Sequence, residues 1–160
     1  MYLLSIIIPT SGRHQTLLKV LDDIDIKIGH RKDIEIIVED NGIDTISLDQ
    51  KIRYFHNPTK ISITENFDRA VKRAKGNYVL ILGDDDFVGP NFNTFLNNID
   101  KDILAYRFKK AFYYFNDHKM PFSWQKKSPW RTRGTIYLNE LIVLQLDQVQ
   151  RRSCSKPLNL

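Results

Sequence analysis

The chain has 160 residues, enough for one domain with a real core. At 42% hydrophobic and 27% charged residues, its composition is globular and excludes a disordered or fibrous chain. The single cysteine, Cys154, excludes an internal disulfide framework and points to a reducing compartment.

The net charge of +5 is unevenly spread. Residues 1–100 carry 12 Lys and Arg against 15 Asp and Glu, whereas residues 101–160 carry 12 against 4 and hold 10 of the 18 aromatics. A basic, aromatic-rich tail suits phosphate, sugar, nucleic acid or an anionic membrane surface; the exposed flank of an incomplete domain is the alternative. The apolar start, MYLLSIIIPTSGR, is broken by Pro9 and has no basic leader, so it reads as a buried strand and not as a signal peptide. No apolar run approaches the ~20 residues of a membrane span, and the expectation is a cytoplasmic protein, soluble or peripheral at the membrane's inner face.

The elements follow in order. LLSIII (residues 3–8) is a strand ended by Pro9. Residues 14–28 form a helix with Leu17, Leu18, Leu21, Ile24 and Ile28 inward and Thr10 or Ser11 as cap. DIEIIVED (33–40) is a second strand, turned by Asn41–Gly42, and KIRYFHN (51–57) a third. The next helix has Ser62 or Thr64 as cap, Glu65 placed for a capping box, Phe67, Ala70, Val71 and Ala74 inward, and Gly76 as stop. NYVLIL (77–82) is a fourth strand, PNFNTFLNNI (90–99) a short helix and DILAYRF (102–108) a fifth strand. AFYYF (111–115) reads as strand and residues 137–149 as helix. This alternation implies an α/β fold with a mostly parallel sheet covered on both faces.

Ligands of such a sheet bind beyond the C-terminal ends of its strands. Those ends read PTSGR, EDNGID and GDDD. Asp84, Asp85 and Asp86 follow a buried strand, where adjacent carboxylates repel unless a cation joins them. Mg²⁺ or Mn²⁺ with a diphosphate would serve, and a solvated acidic turn is the alternative. Asp40 could accept from an imide N–H, as uracil presents, or cap the Asn41–Gly42 turn. Glu39, beside it, could face the sheet edge or pair with Arg13 or Arg69. Thr10 could hold a nucleoside and Arg13 a phosphate, or the two could be a helix cap and a surface arginine. The basic-aromatic set Trp124, Trp130, Lys126, Lys127, Arg131 and Arg133 could stack on sugars or bases, or simply pack its own loop.

No glycine-rich dinucleotide or P-loop motif is present, the four histidines lack zinc spacing, and Cys154 has no histidine near it in sequence.

Together, SIIIPTSGR, EIIVEDNG and ENFDRAVKRAKGNYVLILGDDDFV resemble family 2 glycosyltransferases of GT-A fold, over roughly residues 3–107. The resemblance implies a Rossmann-like donor-binding region at 1–107, with 108–160 as a partial acceptor-side region and tail of the same domain. It implies a UDP-sugar donor, Mg²⁺ or Mn²⁺, and a saccharide or lipid-linked acceptor in bacterial surface-polysaccharide synthesis.

Asp40 then matches the uracil-recognising aspartate, Thr10 a nucleoside contact and Asp84 a ribose contact. Asp85 and Asp86 match the metal and diphosphate contacts of the D-x-D region. Gly83 stands where many relatives have an aspartate, and Ile43 replaces a serine. An inverting transferase also needs a base for the acceptor hydroxyl. Among Asp100, Asp102, Asp117, Glu140 and Asp147 none fits the family pattern, with Glu140 the nearest. The expectation is therefore a C-terminally truncated transferase, with a non-catalytic nucleotide-sugar-binding remnant as the alternative. A nucleotidyltransferase is disfavoured by its need for a glycine-rich basic loop after the first strand. A nucleic-acid-binding protein is disfavoured by the acidic site region. A homo-oligomer is neither required nor excluded.

Overall fold

The structure is a computed structural model describing residues 1–107 and, for the backbone, 142–145. The order is β1 (Tyr2–Thr10), α1 (His14–Ile28), β2 (Ile34–Asp40), β3 (Ile52–His56), α2 (Ile63–Arg73), β4 (Gly76–Ile81), α3 (Phe92–Asn97), β5 (Ala105–Arg107) and β6 (Ile142–Gln145). They form one six-stranded sheet in the order β3-β2-β1-β4-β6-β5. β1 runs parallel to β2 and β4, β2 runs parallel to β3, and β6 runs antiparallel to β4.

This order decides where the helices go. The β1-to-β2 crossover steps one way along the sheet and the β3-to-β4 crossover steps the other. Right-handed crossovers in opposite directions put α1 and α2 on opposite faces. Ala70 and Ala74 of the α2 segment pack with Ile7, Ile37 and Val79, while Phe55 and Val71 cover the edge of that cluster. Leu4, Ile6, Ile8, Val38, Tyr78 and Leu80, of opposite strand parity, are also buried, as are Leu17, Val20, Leu21, Ile24 and Ile28 of α1.

Several expectations need correction. β1 runs on through Pro9 to Thr10. Thr10 O accepts from Asn41 N on the β2 side, so by alternation Pro9 faces β4, which pairs with β1 only as far as Ile7. The missing N–H therefore breaks no ladder bond. Leu18 is exposed, and Val20 takes its place in the core. α1 starts from Arg13 with no side-chain cap, because Thr10 is engaged elsewhere. Ser62 does cap α2, accepting from Glu65 N at 3.1 Å. Gly76 does not stop that helix, which ends at Arg73, but opens β4. A Cβ there would lie 2.6 Å from Ser5 N, so glycine is needed for close approach of two backbones.

Residues 142–145, expected within a helix, are strand β6. The unpaired edge of β4 offers ladder hydrogen bonds that local propensity does not foresee. The expected strand at 111–115 and the rest of 137–149 lie outside the described residues, as do the 116–133 cluster, Cys154, Asp117, Glu140 and Asp147.

Candidate functional site

Strand order reverses between β1 and β4, and the loops after β1, β2 and β4 meet beyond that point. Thr10, Arg13, Asp40 and the acidic triplet all belong to these loops or to the strand ends that feed them.

Two glycines let the first two loops touch. Gly12 has φ +74°, and a Cβ on Gly42 would come within 2.7 Å of Gly12 N and Cα. Asp40 bridges them and is fully buried. Its Oδ1 accepts from Gly12 N at 3.2 Å and Gly42 N at 2.8 Å. Its Oδ2 accepts from Tyr54 Oη at 2.9 Å and contacts His14 Nε2 at 2.8 Å. An ionised carboxylate only accepts, so His14 Nε2 carries the proton. Burial alone pushes the Asp40 carboxyl up, but the hydrogen bonds from His14, Gly42, Tyr54 and Gly12 outweigh it and hold it below its ordinary value. Burial and the same bond push the Tyr54 hydroxyl up to about 12.

Asp40 is therefore both the turn cap and the keystone of the two loops. An imide N–H reaches its carboxylate only if Tyr54 or His14 gives way. Beside it opens a cleft of about 460 Å³ lined by Ser11, His14, Ile43, Asp44, Pro58 and Lys60 together with the two glycines and Asn41.

The acidic triplet is not three equivalent groups. Asp84 is buried and accepts from Thr10 Oγ1 at 2.5 Å and Arg13 Nε at 3.1 Å. A second arm of Arg13, Nη2, closes on the other oxygen of Asp84. Arg13 Nη1 reaches Asp85 Oδ2 at 2.9 Å. The Asp84 hydrogen bond, foremost, raises the Arg13 guanidinium above its ordinary value. Asp85 and Asp86 are exposed.

No group of three His, Cys, Asp or Glu suited to a metal occurs among the described residues. Two carboxylates do converge. A Cβ on Gly83 would lie 3.2 Å from Asp85 Oδ1 and 2.6 Å from Asp86 Oδ2. Asp86 Oδ2 is held there by a hydrogen bond accepted from Gly83 N at 3.2 Å, and Asp85 Oδ1 lies on the same side of the loop. That donor set fits a divalent cation whose shell is completed by a diphosphate and water.

Sequence reasoning missed the supports. Glu39 pairs with Arg73, not Arg13 or Arg69: Arg73 Nε donates to its Oε2 at 2.6 Å and the guanidinium lies 3.8 Å from the Phe55 ring centroid. Asn66 Nδ2 donates to Thr10 O and Glu39 O, and its Oδ1 accepts from Asn57 Nδ2, which ties the ends of β1 and β2 to α2. Lys27 Nζ donates to Val88 O at 2.5 Å, which fixes the far side of the acidic loop. Tyr54 left no signal of its role either, since only the pairing of β3 with β2 brings it to Asp40. No helix among the described residues is long and apolar enough to cross a membrane.

Comparison with known proteins gives the following. The family model for glycosyl transferase family 2 matches residues 5–141. No curated protein sequence matches significantly. S. aureus TarS 1–349 in complex with UDP-GlcNAc aligns with TM-score 0.64 and 16% identity over 98% of this chain and 49% of that one. Galactosyltransferase LgtC, in complex with donor and acceptor sugar analogs, aligns with TM-score 0.53 and 16% identity over 92% of this chain and 59% of that one. The mannosyltransferase PcManGT from Pyrobaculum calidifontis, in complex with GDP-Man and Mn²⁺, aligns with TM-score 0.50 and 17% identity over 64% of this chain and 34% of that one. At these identities the structural likeness establishes the GT-A fold. The chain spans about half the length of the TarS fragment.

Proposed function

This chain belongs to glycosyl transferase family 2, and from that premise we propose that its cleft binds a UDP-sugar. The sugar passes to a hydroxyl of a saccharide or lipid-linked acceptor, in synthesis of a surface polysaccharide. The observation that carries the reading is the meeting of Thr10, Asp40 and Asp84 at the switch point beside an open cleft.

In this reading the nucleoside lies along the loops that Asp40 holds together. Thr10 and Asp84, buried and bonded to each other, would reach the ribose only by releasing that bond, and Arg13 meets a phosphate. The donor contact expected of Asp40 requires Tyr54 or His14 to release one lone pair. Asp85 and Asp86 would hold Mg²⁺ or Mn²⁺, which stabilises negative charge on the departing diphosphate when bound. In the transfer a bond forms from the acceptor oxygen to the anomeric carbon, and the bond from that carbon to the diphosphate oxygen breaks. The acceptor proton goes to a base. Neither Asp100 nor Asp102 is placed by its contacts as that base: Asp100 faces Asp102 N, and both lie in the turn before β5.

The test is titration calorimetry of UDP into the protein with Mn²⁺, repeated with EDTA, for wild type, Asp85→Ala and Asp40→Ala. Heat that requires both the metal and Asp85 is the expected result. No UDP binding by a folded protein in either condition would refute the donor site.

A further inference from the structure

The cation already seated on the acidic triplet belongs to the protein itself. Arg13 grips both oxygens of buried Asp84 with Nε and Nη2, and with Nη1 it takes Asp85 Oδ2 at 2.9 Å. Asp85 is also one of the two carboxylates whose oxygens line the space above Gly83. Arg13 holds Oδ2 while Oδ1 faces that space, so one carboxylate's charge is shared between an internal guanidinium and the position suited to a divalent cation.

We propose that Arg13 is a built-in counter-cation that competes with the divalent metal for Asp85, so that metal binding is held weak until Arg13 is drawn away. The inference rests on the donor-site reading for the metal position, and it adds a residue that sets metal affinity. Three observations bear on it. Arg13 is not committed to burial: its side chain is 57% exposed, as is 56% of Asp85, so that arm can leave at small cost. Asp84 is 1% exposed and keeps Thr10 as a partner, so Arg13 is anchored there even when Nη1 lets go. A guanidinium presents a fixed fork, so one residue can span two carboxylates where a lysine ammonium, a point charge, cannot do so in the same geometry. A diphosphate would offer the Nη1 arm a better partner than a solvated carboxylate, and would free Asp85 as it arrives.

The experiment measures Mn²⁺ affinity without nucleotide, by the loss of the free-ion electron paramagnetic resonance signal. The proteins are wild type, Arg13→Gln and Arg13→Lys. Arg13→Gln removes both the competing bond and a positive charge beside the metal, and should tighten Mn²⁺ binding about tenfold or more. Arg13→Lys keeps a charge for Asp84 but loses the arm on Asp85, and should tighten it about threefold. Because Arg13→Gln leaves Asp84 with less support, circular dichroism checks its fold, and Arg13→Lys decides the question if Arg13→Gln does not fold. Equal or weaker Mn²⁺ binding in the folded variants overturns the proposal, as does the absence of Mn²⁺ binding in all three. UDP binding is a separate measurement. Its failure alongside tighter Mn²⁺ binding would refute the nucleotide reading and leave the competition standing.

Discussion

Replacing Asp40 with Asn changes one atom and separates the two sides of its carboxylate. On Oδ1 the donors are two backbone N–H groups, of Gly12 and Gly42, which cannot become acceptors. On Oδ2 they are a hydroxyl and an imidazole, of Tyr54 and His14, which can: the hydroxyl rotates and the ring changes tautomer. The new amide therefore keeps its oxygen toward the glycines and turns its NH₂ toward Tyr54 and His14. The cost is the charge and some geometry, about 1–2 kcal/mol. Asp40→Ala leaves all four donors without their acceptor in a buried site and should cost about 3–5 kcal/mol, a large part of a typical domain's stability. Urea unfolding followed by circular dichroism reads both.

A cycle with Tyr54→Phe sharpens the test, because the phenol should couple to Asp40 by about 1 kcal/mol and much less to the amide. Acid adds a third reading. Asp40 has a depressed carboxyl, so its contribution is whole above the unfolded value of about 3.9 and is lost as pH falls through the lower folded value. The gap between wild type and Asp40→Asn should therefore narrow in acid. Equal losses for Asn and Ala, with no coupling to Tyr54, would refute the keystone argument.

Gly76→Ala would place a Cβ within 2.7 Å of two β1 backbone atoms, and separating the strands should cost about 2–3 kcal/mol in the same assay; a loss under about 0.5 kcal/mol would contradict it. Arg73→Ala strands the fully buried Glu39 and should cost about 3 kcal/mol. Adding Glu39→Gln to that variant should recover part of the loss, and a double variant no better than the single one would argue against the pair.

Much of the first two thirds was legible because its signals are local. The spacing of Leu17, Leu21, Ile24 and Ile28 reproduces the bounds of α1, and Ser62 with Glu65 marks the start of α2. The apolar runs before PTSGR, EDNG and GDDD mark β1, β2 and β4, at whose ends the candidate residues lie. What escaped was set by partners distant in the chain. Tyr54 reaches Asp40 only because β3 lies beside β2 with Tyr54 opposite Val38. Thr10 looked like a cap until β4 brought Asp84 to it across 74 positions. Gly76 carries a stop signal for α2, yet its reason is Ser5 on another strand. β6 was misread because pairing with β4, and not its own periodicity, decides its conformation.

The place of β6 bears on how the chain assembles. β1 to β4 come from the first 81 residues and pair as parallel neighbours, so that part of the sheet can form from chain that is close at hand. β6 then enters between β4 and β5 from some 60 positions further on. Until it does, Tyr78, Val79 and Leu80 present an open ladder edge at the middle of the finished sheet. Closing that gap is a long-range step of high contact order, and the interval before it is when the nascent chain is most exposed to pairing with a neighbour.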